Sequence, residues 1–160
     1  MTSNSIQQYA RTMAETLAIM HWIGEIDGND IEFVLAPPND SNWGGSSEKG
    51  DSVLGVHSLW VLDFDLCRSM TMDFNGVKQA VASFWGNDPY YPRPGRDPVI
   101  WDAFRGRYIQ ISDACMGLSG SQKPESRHTL PNQFIELVEQ EGKRRDGKDD
   151  NGTCMKSDMY

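Results

Sequence analysis

The chain has few cysteines, and none of them are close together. Cys67, Cys115 and Cys154 are odd in number and far apart, which excludes a disulfide framework and the close ligand pairs of a zinc module. No apolar stretch approaches the roughly 18 residues of a membrane span, and the N-terminus lacks the basic start and apolar run of a signal peptide. These absences predict a soluble protein in the reducing cytoplasm, with no membrane partner. Bases are scarce in one half only. Residues 1–75 hold eleven acids against Arg11, Lys49 and Arg68, whereas residues 76–160 hold twelve of each sign, so the first half carries the whole net charge of −8. Such a field attracts metal ions, guanidinium and amine groups, and it directs any nucleic-acid contact to the second half.

What is present is enough for one domain. A 160-residue chain buries a core without staples. Ile6, Tyr9, Ala10, Met13, Leu17 and Met20 recur at helical spacing, and Ser5 with Gln8 reads as a capping box. The spacing predicts a helix over about Ser5 to Ile23, with Gly24 able to end it. Ile31, Phe33 and Leu35 alternate with polar or lesser neighbours as a strand does, and Val53 to Phe64 returns to strand character. Between them residues 37–52 are rich in Pro, Gly, Ser, Asn and Asp, the composition of a mobile loop. Asn75 is placed to cap a helix through Val77, Ala80, Val81 and Phe84. Asp97 before Pro98 opens the clearest amphipathic segment, Trp101, Phe104, Tyr108, Ile111 and Cys115, closed by Gly117. Pro131 opens a shorter helix with Phe134, Leu137 and Val138. Polar sequence from Gly142 predicts a disordered tail.

The expected architecture is α+β, mainly helical with a small antiparallel sheet: one domain over 1–141 and a tail over 142–160. Two strands alone are marginal, so they must rest on the helices.

Acidic residues offer the leading candidate site. Asp30 and Glu32 are two apart and share a strand face, while Ile31 and Phe33 turn inward. On the second strand the same rule groups Asp63 with Asp65, opposite Trp60, Leu62 and Phe64. Together with Asp27 these acids are expected to meet in one cleft. Close like charges share a proton or hold a cation, so Mg²⁺ or a substrate guanidinium is the natural occupant, and no organic cofactor is called for. The ordinary alternative for each acid is a solvated turn. Asp63 stands apart because it follows the apolar run Leu59–Leu62. His21, beside the acidic turn, fits a general acid or base, or an interaction with the helix C-terminus. No metal ligand set is read from Cys and His, since His57 and His128 are scattered. Tyr90, Tyr91, Arg93, Arg96, Trp101, Arg105 and Arg107 interleave bases with aromatics, a mixture that grips phosphate and stacks on bases. Core packing of the aromatics and a solvated arginine face explain the same pattern.

The segments "MAETLAIMHW", "IDGNDIEFVLA", "LWVLDFDLCRSM" and "WGNDPYYPRP" together resemble, over Met13 to Ser112, a family of fungal proteins labelled zinc finger proteins. The family's members are usually longer, so the chain looks like a C-terminal portion or a shortened relative. It is also similar to fungal arginine-containing cyclodipeptide synthases. That similarity implies an enzyme of specialised metabolism, a transferase or ligase joining amino acids from aminoacyl-tRNAs. Asp27, Asp30, Glu32 and Asp63 would then be catalytic, with Asp65 and His21 at the substrate and Arg93, Arg96, Arg105 and Arg107 meeting tRNA. The order helix, acidic loop, strand and "LDFD" resembles the C-terminal lobe of aminoglycoside-type kinases. That likeness implies Asp27 as base, Glu32 where Asn is usual and Asp63 as metal ligand. The Gly-rich loop and lysine strand of a kinase are missing upstream. A non-catalytic interaction domain is the third reading, and the arrangement of the carboxylates is what separates it from the two enzymes.

Overall fold

The computed structural model describes residues 3–37, 57–87, 89–118 and 125–152. Cys154 and positions 38–52 of the expected loop lie outside them. Helix α1 (Ser3–Trp22) leads to strand β1 (Glu32–Ala36) and strand β2 (Ser58–Leu62), followed by α2 (Phe74–Gly86) and α3 (Pro98–Leu118). A 3₁₀ turn (Glu125–Thr129) then enters α4 (Leu130–Gly152). The protein is thus mainly helical with one two-stranded antiparallel sheet, an α+β arrangement. Among the described residues no helix is long and apolar enough to cross a membrane.

Small residues bring the first pair of helices together. Ala10, Ala14 and Ala18 are buried at four-residue steps on one face of α1, so this helix approaches α3 closely. On α3 the rings of Trp101, Phe104 and Tyr108 stack, with centroids 5.4 and 6.2 Å apart. Phe84 of α2 meets Trp101, Phe104, Tyr91 and Phe134 of α4, joining the two helix pairs into one aromatic core.

Element boundaries follow local chemistry, with some departures from the sequence reading. Asp97 caps α3 as expected, accepting from the N–H groups of Val99 (3.0 Å) and Ile100 (3.1 Å). Ser5 lies inside α1 rather than at its cap. The cap of α2 is Asp73, not Asn75: its Oδ1 accepts from the N–H groups of Asn75 (2.8 Å) and Gly76 (3.0 Å). The start of α2 also packs so tightly on the preceding turn that a Cβ at Gly76 would stand 1.7 Å from the Thr71 carbonyl oxygen. Helix α4 continues past residue 142, where the tail was expected to begin. Gly142 is buried, and a Cβ there would lie 3.0 Å from Pro94 and 3.4 Å from the Trp85 ring. Its polar sequence belongs to a helix packed on one side.

The hairpin register pairs Glu32 with Leu62, Phe33 with Val61 and Val34 with Trp60. Directly opposed residues share a face, and Phe33 and Val61 are the pair packed on the core. Trp60 (37 % exposed) and Leu62 (46 %) therefore look outward, the reverse of the facing expected for them, and Phe64, past the end of β2, is 50 % exposed. Leu59 to Leu62 is apolar throughout, so the run carried no alternation by which to tell its two faces apart.

Candidate functional site

Asp27 is the anchor of the acidic region. The loop after α1 crosses the segment 66–70: Ile26 bridges to Ser69, and the Asp27 N–H donates to the Arg68 carbonyl at 3.0 Å. This puts the Asp27 carboxylate inside the protein, 1 % exposed. Its Oδ1 accepts from the N–H groups of Arg68 (3.0 Å) and Asn29 (3.1 Å). Its Oδ2 accepts from Arg68 Nε (2.9 Å) and Gln79 Nε2 (2.8 Å), with Arg68 Nη2 also at 2.9 Å. Burial works against the charged form, but the Gln79 amide, the two backbone N–H groups and the Arg68 charge outweigh it. The carboxyl is held below its ordinary range. A carboxylate so fully engaged is a structural clasp, and it has no lone pair left for a substrate proton.

The other acids gather at the same end of the hairpin on the solvent side. Asp30 is exposed with a left-handed φ of 63°, its N–H donating to Asn87 Oδ1 at 2.7 Å. Glu32 is the exposed first residue of β1, opposite Leu62, and exposed Asp63 follows β2 with φ 60°. Exposed Asp65 lies in the next turn. Asp27 and Asp63 both act on Cys67, whose thiol is pushed up by burial and then by these two charges. Four exposed acids thus lie on the chain segments at the Glu32–Leu62 end of the hairpin, whereas the fifth, Asp27, is enclosed. Among the described residues no group of three or more His, Cys, Asp or Glu is arranged to hold a metal ion.

His21 is fully buried in α1, its Nδ1 2.8 Å from the Tyr108 hydroxyl and its Nε2 without a hydrogen-bond partner among the described residues. Burial pushes its pKa down to about 4, against the opposing pull of the Asp27 backbone and charge. It is therefore neutral at pH 7 and enclosed by Trp22, Tyr108 and Phe134 rather than open to the exposed acids.

The interleaved arginines divide. Trp101 and Tyr108 are core. Arg105 pairs with Glu139 (3.5 Å) and Asp102 (3.7 Å), and Arg107 pairs with Glu15 at 2.8 Å. Arg93 is buried, its Nη2 donating to the Asn87 carbonyl (3.1 Å) and its guanidinium 4.5 Å from the Trp85 centroid. Arg96 is exposed and donates to the Pro89 carbonyl at 2.6 Å. The residues that sequence reasoning missed are Arg68, Gln79 and Asn87, which meet their partners from more than 40 positions away. Asn87 also donates to the Gly28 carbonyl at 2.9 Å, and Tyr91 to that of Ile31 at 3.0 Å, tying the acidic loop to the α2–α3 connection. The one available signal was that Arg68 is among only three bases in an acidic half.

With this geometry in place, comparison with known proteins adds one match. A family model described as "Zinc finger protein" matches residues 59–120, from β2 to just past α3, less than half of the chain. The family label read from the sequence is supported over that span, and the likeness to cyclodipeptide synthases is not. No curated protein and no solved structure matches the chain. The donors present do not fit a zinc site among the described residues. Cys67 and Cys115 form no disulfide and stand in no metal-ligating group, His21 contacts Tyr108, and His57 contacts Tyr9.

Proposed function

We propose that this chain is a non-catalytic protein-interaction domain that docks an apolar segment flanked by lysine or arginine on the outer face of its hairpin. The carrying observation is the composition of that face. Trp60, Leu62 and Phe64 stand well exposed with Val34 beside them, and Glu32, Asp63 and Asp65 border them. Grouped exposed apolar residues rimmed by charge are the usual make-up of a contact surface. The pairing β1–β2 leaves both sheet edges without a further strand among the described residues, so an extended partner has backbone groups to join. The saturation of Asp27 supports the same reading. A reducing cytoplasmic setting suits Cys67 and Cys115, which form no disulfide. The test is selection from a random peptide library, followed by binding measurements on Trp60→Ser and Leu62→Ser. Recovered peptides should carry aromatic or aliphatic residues with basic flanks, and either substitution should weaken them by about tenfold or more. Peptides that bind both variants as well as the parent would overturn the assignment.

A second reading, a peptide-bond-forming or phosphoryl-transferring enzyme, is favoured by one observation. Asp30 and Asp63, both at left-handed φ, flank Glu32 at one end of the hairpin, and backbone held in sparse regions is common at working sites. In it Asp30, Glu32 and Asp63 hold the guanidinium or Mg²⁺. Arg96, exposed on the 89–96 connection, is the arginine placed to meet tRNA. Expression in a host with its own charged tRNAs, with a mass-spectrometric search for arginine-containing cyclic dipeptides, separates the two readings. Product that falls in Asp30→Asn and Glu32→Gln would favour the enzyme, and absence of product from folded chain would favour docking.

A further inference from the structure

Away from the exposed acids, basic residues collect where the end of α2, residues 89–96 and the α4 turns over 137–146 meet. Two adjacent cavities of about 520 and 470 Å³ share Trp85 and Arg145 in their linings. Lys78 and Arg144 line the first, and Arg93 and Arg96 line the second. The guanidinium groups of Arg93 and Arg145 lie 4.5 and 4.6 Å from the Trp85 ring centroid, so the indole holds two cations close together. Its own Nε1–H is buried without a hydrogen-bond partner among the described residues. Gly142 lets α4 approach closely, because a Cβ there would press on the Pro94 and Trp85 side chains at 3.0 and 3.4 Å.

The carboxylates in the two linings are Glu141 and Asp146. Glu141 accepts from Arg144 Nε (2.6 Å) and Nη2 (2.5 Å) and from Arg145 Nε (2.8 Å). One carboxylate thus serves two guanidiniums, and each keeps further N–H donors than these contacts use. The linings keep an excess of positive charge in a protein whose net charge is −8. Guanidinium forks suit phosphate oxygens, and Val81 and Leu137 give the first cavity apolar surface for an organic ring. Each cavity is within the range of ordinary small-molecule sites. These basic groups are confined to the two cavities, which suits a compact ligand rather than a long polyanion.

We infer that the paired cavities around Trp85 bind a small phosphorylated ligand of nucleotide size, its phosphates held by Arg145, Arg96 and Arg144. The experiment is calorimetric titration of the full chain with a nucleoside triphosphate, with inorganic phosphate and a ten-nucleotide single strand as separate arms. The triphosphate should bind at one site, more tightly than phosphate and at least as tightly as the oligonucleotide. Arg145→Gln and Arg96→Gln should each weaken it by about tenfold, and higher salt should weaken it further. Glu141→Gln should tighten it severalfold by releasing both guanidiniums, a gain that damaged folding does not produce. Thermal unfolding of each variant identifies any that is misfolded. Absence of triphosphate binding at millimolar concentration, or affinity unchanged across all three variants, would overturn the site. Tighter binding of the oligonucleotide than of the triphosphate would overturn the small-ligand assignment.

Discussion

The helical body and the hairpin use the same kinds of side chain to opposite ends. In the body, aromatics are enclosed and stacked, and Asp27, the one buried acid among the described residues, has each carboxylate oxygen bonded by protein donors. In the hairpin, Trp60 and Leu62 face outward, and Phe64, Asp63 and Asp65 just past its end are exposed. Residue type therefore does not separate stability from function here; saturation of contacts does. Groups whose bonding capacity is spent inside the protein hold it together, and groups with capacity left over can recognise something else.

The sharpest way to break that contrast is to remove an apolar side chain from each region. Phe84 is buried and meets four other core rings of the α2–α3–α4 body directly. Phe84→Ala should lower unfolding free energy by about 4 kcal/mol, read from denaturant midpoints at constant slope. A loss under about 1 kcal/mol would mean that the body is not the stable part.

The next largest effect is a pH dependence from His21. Its folded pKa of about 4 lies below the ordinary 6.5, so the unfolded chain takes up the proton first. Stability is fully present above pH 6.5 and declines as pH falls toward 4, by on the order of 3 kcal/mol across that window. Asp27, also depressed, adds a decline of the same sign below its ordinary 3.8. His21→Gln should flatten the upper window while leaving the lower one. An unchanged slope between pH 6.5 and 4 would assign it to other groups. Smallest is Leu62→Ser on the outer face, which should change stability by less than about 0.5 kcal/mol. A large loss there would mean that the face already serves the fold.

The sequence carried the helical body well, because its signals are local. The three-and-four spacing of Trp101, Phe104 and Tyr108 and the Asp97–Pro98 start define α3 without reference to anything distant. The two-stranded sheet was legible for the same reason. Its facing was not: whether Trp60 or Val61 turns inward is decided by the pairing with Phe33 across an interval of more than 20 residues. The site divides in the same way. Five acids could be singled out, and Asp30, Glu32, Asp63 and Asp65 do come to one end of the hairpin. That Asp27 is enclosed depends on Arg68 and Gln79, which no spacing rule connects to it. The length of α4 was hidden because its polar sequence beyond Gly142 resembles a solvated tail, and packing against Trp85 is visible only in three dimensions.

Gly76 turns the tight start of α2 into a means of recognising kin. A position where even a methyl group would collide with backbone admits one amino acid in twenty, however far the rest of the chain diverges. The Asp73 side chain three residues earlier must still reach the N–H of residue 76. In chains that build this turn the same way, an acid followed at the third place by glycine will persist after the apolar face of the hairpin has been rewritten for different company. It is a marker of descent that depends on geometry alone and owes nothing to any label the lineage has been given.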